Sequence, residues 1–363
     1  MHRWRPHAAL ASSRPARCAV VVAVPAAVAL VAAPAGACGG LVGANGTIHL
    51  TRTTTLAAYH DGLERYVTSF EFSGQGKAVG SIVPLPGIPT KVERGGSWTL
   101  QRLEREVAPP IQDDLSFARA AVPSAAAQVI LQTQIDALDI TILKGGGSAV
   151  GKWAVDNGFL LTPDAPAMLD YYANRSPIFM AARFDVSRAQ QLSQTTGDGT
   201  PIMLTIPTRE PWVPLHILSL GLDKSAVVDA DVFLLTDTQP KLLAGGPGLT
   251  EPRSEQANAQ LLDDLRSDKN MGWVPNQMWF TYLRLHTQAG QLGYDLAIST
   301  HPGSLPRLSD AGVSAQAARP VVPEPGGSVW WPLVAAVIAG AIVFGLLTLY
   351  TRRRVRAQLG AAA

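Results

Sequence analysis

The chain has 363 residues and a net charge of +2, from 30 basic and 28 acidic residues. Eight arginines lie at the two ends, so the remainder has 22 basic against 28 acidic residues and carries about −6 (22 − 28). This acidic balance speaks against a nucleic-acid-binding protein, which would show a basic stripe. No nucleic-acid partner is therefore predicted.

The first 37 residues have the order of a secretory signal. Four arginines precede an uncharged stretch from 18 to 33, and Ala35-Gly36-Ala37 follows it. This pattern predicts a signal peptide over residues 1–37. Cys38 would then begin the mature chain, which leaves two other interpretations open: lipidation of Cys38, although Ala35 stands where a lipoprotein signal usually has leucine, or an uncleaved anchor.

An extracytoplasmic domain is predicted over residues 38–300. Because Cys18 leaves with the signal, Cys38 has no intramolecular disulfide partner, and the domain depends on a hydrophobic core. Strand patterns dominate, beginning with alternating apolar residues after an Asp61-Gly62 turn. The predicted strands cover residues 47–54, 63–73, 78–83, 128–135, 140–143, 178–184, 202–206, 215–220, 227–235, 278–286 and 294–299.

Helical patterns are fewer. Leu100, Leu103 and Val107 recur at helical spacing after Ser97, a candidate N-cap, and further helices are predicted over 149–157, 165–173 and 256–266. The elements interleave without a βαβ rhythm. This favours an α+β fold of mostly antiparallel strands with a few short helices. Prolines near 110–127 suggest a division of the domain into two lobes.

The C-terminal part has the pattern of a stalk and an anchor. Residues 301–328 include five prolines and predict an extended stalk. Eighteen uncharged residues from 333 to 350 reach about 27 Å, so a transmembrane helix is predicted over 329–350. The basic tail, 351–363, places the C-terminus in the cytoplasm and the N-terminal domain outside, as a single-pass cell-membrane protein. The predicted interface anchors are Trp330, Trp331, Tyr350, Arg352, Arg353 and Arg354.

No motif identifies a catalytic residue, a cofactor or a metal site. The run from Gly146 matches a phosphate-binding loop as far as Lys152, but Trp153 stands where a serine or threonine must hold magnesium. We interpret this run as a glycine turn that leads into a short helix. Scattered histidines, acidic pairs and tryptophans carry weaker hypotheses of zinc, calcium and sugar binding. They are His49, His60, His216, His286, His301; Asp113-Asp114, Asp229 with Asp231, Asp263-Asp264; and Trp98, Trp153, Trp212, Trp273, Trp279.

Several short runs resemble one bacterial family. They are Ala37-Cys38-Gly39-Gly40, Phe70-Glu71-Phe72-Ser73-Gly74, VPLPGIPT at 83–90 and WAVDNGF at 153–159. Together they resemble domain of unknown function 2330 over residues 37–240. The resemblance implies a secreted protein, often with a C-terminal anchor, and no established activity. Many members have a second cysteine shortly after Cys-Gly-Gly, whereas this chain has Leu41-Val42-Gly43.

These observations predict a membrane-anchored, non-enzymatic module of the cell envelope. Its partner would be a cell-wall component, a small ligand or another membrane protein. Two alternatives stay open: an extracytoplasmic hydrolase or transferase whose site assembles from distant residues, and an accessory subunit of a membrane complex.

Overall fold

The computed structural model describes residues 40–43, 53–69, 78–108, 128–192, 200–301 and 303–323. Strands predominate in these ranges. In chain order the strands are β1 (Gly40–Gly43), β2 (Thr53–His60), β3 (Leu63–Thr68), β4 (Ala78–Pro84), β5 (Lys91–Arg94), β6 (Gln128–Ile135), β7 (Leu138–Lys144), β8 (Ile178–Asp185), β9 (Ile202–Pro207), β10 (Trp212–Val213), β11 (Val227–Thr236), β12 (Lys241–Ala244), β13 (Leu249–Gln256), β14 (Trp279–Gln288), β15 (Leu296–Ser299), β16 (Arg319–Pro320) and β17 (Val322–Pro323). The helices are α1 (Thr99–Val107), α2 (Gly147–Asp156), α3 (Ala165–Ala173), α4 (Val186–Gln191) and α5 (Ala259–Ser267), with 3-10 turns at His216–Ser219 and Ala289–Gln291.

An eight-stranded sheet positions the candidate site. Its order is β17-β13-β14-β11-β2-β3-β9-β5, and its longest pairing joins β11 to β14 over ten residues, from Val227↔Gln288 to Thr236↔Trp279. Most pairs are antiparallel, while β2 with β11 and β13 with β17 run parallel. The predicted strand-rich α+β class, with mostly antiparallel pairing and few helices, is confirmed for the described residues.

The main core lies among three sheets. A five-stranded sheet, β1-β4-β8-β7-β6, and a four-stranded sheet, β10-β15-β12-β16, both supply apolar side chains to the cluster that packs on one face of the eight-stranded sheet. That face contributes Ala57, Tyr66, Leu204 and Val232. Alternate residues of each strand point to opposite faces, so every sheet has a second face to cover.

The second faces are covered by helices. On the eight-stranded sheet, α1 and α5 pack through Leu103 and Leu265 against Phe233 and Phe280. On the five-stranded sheet, α2 and α3 pack against residues such as Phe179. A Cβ at Gly147 would lie 2.5 Å from a backbone nitrogen of α3, so glycine is needed where these two helices meet. The glycine run before Lys152 therefore opens a packed helix, as the sequence predicts.

The start of α1 differs from its prediction. Ser97 makes no side-chain cap, and the Asp268 carboxylate instead accepts hydrogen bonds from the backbone nitrogens of Ser97 (3.0 Å) and Trp98 (3.0 Å) and from the Thr99 hydroxyl (2.8 Å). A residue 170 positions away thus accepts from the two backbone N–H groups that immediately precede the first turn of the helix. A cap supplied from another element leaves no local sequence pattern.

The predicted strand over 215–220 is wrong, because this segment forms the 3-10 turn at His216–Ser219. Most other predicted strands in the described ranges are present, and the predicted bounds of β6, Gln128–Ile135, are those observed. The strands that were not expected are β1, β5, β10, β12, β13, β16 and β17, and β2 overlaps the predicted strand 47–54 only at Thr53 and Thr54. In α5, Leu262 and Leu265 are buried as predicted, whereas Ala259 is exposed.

Several predictions concern residues outside the described ranges. They are the signal peptide with Cys38, the boundary at 110–127, the span 329–350 and the tail with its interface anchors Trp330, Trp331, Tyr350, Arg352, Arg353 and Arg354. Within the described part of the chain, no helix has the length and apolar character needed to cross a membrane. Sheet pairing continues past residue 300, since Arg319 and Val322 pair with β12 and β13.

Candidate functional site

One open cleft of about 530 Å³ lies on the eight-stranded sheet. We call it the β11–β14 cleft, and its lining is Asp229, Ala230, Asp231, Gly248, Thr250, Arg284, Leu285 and His286. Its side chains continue the face that α1 and α5 cover elsewhere. Phe233 of β11 and Tyr282 of β14 lie under those helices. In the antiparallel pairing, Asp231 comes two residues before Phe233 and Arg284 two residues after Tyr282.

Strand register brings the charged residues together. Asp229 lies opposite His286, and Asp231 lies opposite Arg284, in the antiparallel pairing of β11 with β14. Because residues two apart share a face, the four side chains form a square of two carboxylates and two basic groups. The sequence predicts that Asp229 and Asp231 share a face, and the structure confirms it.

The two carboxylates have different environments. Asp229 Oδ1 lies 2.6 Å from His286 Nδ1, and both side chains are substantially exposed, at 43% and 67%. Asp231 is only 3% exposed, and its Oδ1 accepts a hydrogen bond of 2.7 Å from the Tyr282 hydroxyl. Solvent exposure, the ordinary explanation for such a pair, therefore applies to Asp229 and not to Asp231.

Besides β11 and β14, the cleft is lined by two residues at the start of β13, Gly248 just before the strand and Thr250 within it. The Gly248 carbonyl accepts a hydrogen bond of 2.8 Å from the His286 backbone nitrogen, at a φ of +94° for Gly248. A Cβ there would lie 2.6 Å from the His286 oxygen, so only glycine allows this approach. The Thr250 hydroxyl donates to the Arg284 backbone oxygen at 3.4 Å, which places Thr250 beside the arginine.

A second polar cluster surrounds the fully buried Asp295. Its Oδ1 accepts hydrogen bonds from the Tyr172 hydroxyl (2.8 Å) and from the backbone nitrogens of Leu215 (2.6 Å) and His216 (3.0 Å). Its Oδ2 pairs with Arg175. Burial, and then the charge of Asp295, raise the pKa of Tyr172 well above its ordinary value.

The Asp295 cluster holds local structure. The Arg175 guanidinium lies 4.1 Å from the centre of the Trp212 ring, so an aromatic face covers part of it. Burial also lowers the pKa of His216, which favours the neutral ring. Asp295 is closed to solvent, and its hydrogen bonds to Leu215 and His216 fix the 3-10 turn at His216–Ser219, so its carboxylate serves the fold.

The third group is at the turn between β2 and β3. His60 Nδ1 lies 2.6 Å from Asp237 Oδ1, and His60 Nε2 lies 3.3 Å from Asp61 Oδ2. The donor atoms are near enough together to hold a metal ion. Both ring nitrogens already face carboxylates, however, which is also the arrangement of a hydrogen-bonded surface histidine.

The remaining predicted candidates lie apart from one another. Asp263 pairs with Arg266 and Asp264 with Arg102, both on the surface of α5. Trp153 and Trp212 are core residues, and Trp273 packs under Arg65. Lys152 forms an ion pair with Asp156. His49 and Asp113-Asp114 lie outside the described residues, and His301 is exposed.

Sequence reasoning missed Arg284, Thr250 and Gly248 as cleft residues and Tyr282 as the hydrogen-bond donor to Asp231. A signal for two of them was present, because Tyr282, Arg284 and His286 alternate with apolar residues in the predicted strand 278–286. What was missing was the neighbour of that strand. Asp229 and His286 are 57 residues apart, and only the pairing of β11 with β14 makes them adjacent.

Comparison with solved structures finds weak likenesses. A mutated baculovirus P35 after caspase cleavage, determined at 2.7 Å resolution, is 9% identical and covers 68% of this chain and 99% of its own, with a TM-score of 0.37. Baculovirus P35 itself is 10% identical (70% and 97% covered, TM-score 0.36). The caspase-8/P35 complex is 8% identical (69% and 96% covered, TM-score 0.33).

No curated protein sequence matches the chain. A family model does match, over residues 31–236, which includes all of β11 but neither β13 nor β14. Its description is an uncharacterized protein conserved in bacteria, and it is the family that the short runs at 37–40, 70–74, 83–90 and 153–159 resemble. The chain therefore belongs to the DUF2330 family of bacterial proteins.

Proposed function

We propose that this protein is an extracytoplasmic binding module, anchored once in the cell membrane, whose β11–β14 cleft holds a small polar ligand. The observation that carries the proposal is the cleft itself. Two exposed basic side chains and a partly exposed carboxylate lie there in an opening of about 530 Å³, which suits a small molecule. A cell-wall fragment or a metabolite of the envelope has this size and polarity.

Binding is favoured over catalysis by the lining. Among the described residues that line the cleft, the hydroxyl is that of Thr250, which donates to the Arg284 backbone oxygen, and none is a cysteine or serine that could act as a nucleophile. The rigid position of the cleft residues on two long central strands also suits a preformed binding site.

Membrane anchoring is the second part of the proposal, and its support comes from the sequence. The arginine-flanked apolar run before Ala37 and the uncharged run from 333 to 350 with its basic tail are the two signals. Another membrane protein is the alternative partner, which would be found by co-purification from mild detergent.

Thermal unfolding of the purified full chain against wall fragments, small metabolites and divalent metals tests the binding proposal. A ligand at a hundred times its Kd adds about 2.7 kcal/mol of stability. For a domain of this size that corresponds to a Tm increase of roughly 5–10 °C. The increase should disappear in an Asp229→Asn/His286→Gln variant and persist in Asp263→Asn, a matched change on α5. A ligand that protects both variants equally binds elsewhere and refutes the cleft.

Cell fractionation tests the anchor. The full chain should sediment with membranes, and a variant that ends at residue 328 should be released outside the cytoplasm. Recovery of both forms from the cytoplasm would contradict the proposed topology.

A second function, an envelope hydrolase, is favoured by one feature of the same cleft. Asp229 engages His286 at Nδ1, which leaves Nε2 on the opposite side of the ring, as in a histidine that acts as general base. Turnover of an ester or amide substrate that is lost in His286→Gln would establish this function. Reversible protection by a ligand that is recovered unchanged would establish binding.

A further inference from the structure

The charges of the β11–β14 cleft are unequally partnered. Asp229 has His286 at 2.6 Å, and the buried Asp231 accepts the Tyr282 hydroxyl at 2.7 Å. Arg284 is exposed and, among the residues that the structure describes, no carboxylate lies within ion-pair distance of its guanidinium. The positive charge that remains available in the cleft is therefore that of Arg284.

This lack of a partner is unexpected from the register. Arg284 is directly opposite Asp231 and two residues from His286 on the same face. Opposite charges in such positions usually pair across strands. Asp231 instead accepts a hydrogen bond from the Tyr282 hydroxyl, while Arg284 lines the opening, where the Thr250 hydroxyl donates to its backbone oxygen.

We propose that Arg284 binds the carboxylate group of the ligand that the cleft holds. This inference rests on the proposed binding function and specifies the ligand's chemistry. A guanidinium presents parallel N–H donors whose spacing matches the two oxygens of a carboxylate. The arginine is carried on a central strand, so its backbone is fixed before the ligand arrives.

The neighbouring carboxylates select against a more highly charged anion. Asp229 and Asp231 lie on the same sheet face as Arg284. A phosphate monoester with two negative charges feels both the attraction of the guanidinium and the repulsion of the carboxylates about twice as strongly as a carboxylate with one. Selection follows because two carboxylates stand beside one guanidinium. Asp229 also keeps Oδ2, which can accept an N–H from the ligand, so an N-acylated amino acid offers both complementary groups.

A set of small probes tests the inference on the full chain in mild detergent. N-acetylalanine carries the carboxylate and the N–H, N-acetylalanine amide replaces the carboxylate with a neutral group of the same shape, and inorganic phosphate supplies the competing anion. Calorimetric titration up to about 50 mM detects a Kd in the millimolar range. We expect N-acetylalanine to bind at least tenfold more tightly than its amide or phosphate.

Variants assign the effect to one side chain. Arg284→Gln should weaken N-acetylalanine at least tenfold, and Arg284→Lys should give an intermediate Kd because it keeps the charge and loses the paired donors. Arg209→Gln is the matched control. Arg209 is also exposed, and it follows Thr208, whose backbone oxygen accepts from Tyr59 at the opposite end of β2.

The outcomes separate this inference from the proposed function. Equal binding of N-acetylalanine and its amide, or unchanged binding in Arg284→Gln, overturns the carboxylate while the cleft can still hold a neutral ligand. Tighter binding of phosphate overturns the selectivity for a single charge. No binding by N-acetylalanine also overturns the inference, whereas the proposed function fails only if the wider ligand panel gives no cleft-dependent protection.

Discussion

Glu64 offers the sharpest test of the described fold. It lies on β3, paired with Tyr59 on one side and Ile206 on the other, and its side chain is fully buried. Neither carboxyl oxygen has a hydrogen-bond partner among the described residues. Burial raises the pKa of Glu64 to about 8, from an ordinary value of 4.5. We therefore expect Glu64 to be largely protonated in the native protein at neutral pH.

The raised pKa fixes the sign of the pH dependence. The folded state binds the proton more tightly than the unfolded state, so this contribution to stability is complete below pH 4.5 and is lost as the pH rises to about 8. At about 1.4 kcal/mol per pH unit, a difference of about 3.5 units corresponds to roughly 5 kcal/mol over the window. At pH 7 about 3 kcal/mol of that amount is already lost.

Glu64→Gln keeps the shape and cannot ionise. The free energy of unfolding, measured by urea titration with tryptophan fluorescence between pH 4.5 and 8.5, should be similar for both proteins at the acid end. The variant should become progressively more stable than the wild type as the pH rises. Other titrating groups contribute equally to both proteins, so the difference between the two curves isolates Glu64.

Glu93→Gln on β5 is the control, because the Glu93 side chain is 34% exposed and its ion pair within the described part of the chain is with the exposed Lys91. It should give a difference of less than about 1 kcal/mol. A Glu64→Gln difference that does not change with pH would refute the buried, protonated carboxyl. So would a wild type whose stability increases from pH 5 to 8 relative to the variant.

Three further substitutions test local features of the fold by the free energy of unfolding. Arg175→Met should cost about 3–5 kcal/mol because it leaves the buried Asp295 without its cation. The double variant Arg175→Met/Asp295→Asn should lose clearly less stability than the single variant. Equal losses in the two variants would contradict the ion pair. Asn258→Ala removes the N-cap of α5, whose side-chain oxygen lies 2.7 Å from the Leu261 backbone nitrogen, and should cost about 1 kcal/mol. Asn258→Ser keeps a capping oxygen and should retain most of that stability. Equal losses in the alanine and serine variants would contradict the role of the cap. Gly248→Ala should cost more than about 1 kcal/mol because its φ is +94° and a Cβ would meet the neighbouring strand. Gly272→Ala, where a Cβ would meet open space, should cost less than this. Similar losses of stability in the two variants would refute the steric reason.

The predictable part of the fold is the part with strong apolar alternation. β6, β8 and β11 were predicted within a residue or two, because each buries alternate or continuous apolar side chains. β13 was not expected, since its sequence LTEPRSEQ is polar and contains proline. Its strand conformation comes from pairing with β14, which no local pattern records.

Long-range hydrogen bonds explain the errors. Residues 215–220 have the composition of a strand, but the Asp295 carboxylate accepts two successive backbone N–H groups there and stabilises a turn. Similarly, Asp268 supplies the cap that Ser97 was expected to provide. In both cases the deciding group is a buried aspartate far along the chain, and its contribution exceeds the local preference.

The sequence could indicate which residues share a face within each cleft strand, but not that the two strands are neighbours. Alternation placed Asp229 with Asp231 on one face of a strand, and the same rule applied to 278–286 would have placed Arg284 with His286. Register between the two strands decides whether these pairs meet. That register is set by ten consecutive backbone pairings and the apolar residues beneath the helices, which are not visible in either segment alone.

Burial separates the polar groups that stabilise this fold from those that are available for function. Asp295 is fully buried, and its several donors offset the cost of removing its charge from water. Glu64 is equally buried, and no described residue donates to its carboxyl group, so it is accommodated by keeping its proton and destabilises the fold at alkaline pH. Arg284 also lacks a partner among the described residues, but water solvates its exposed guanidinium and folding loses nothing. Such an unpaired charge costs no stability and is held on a central strand within a cleft, so a ligand can replace the water around it. This is the physical reason to test Arg284 before any buried polar group.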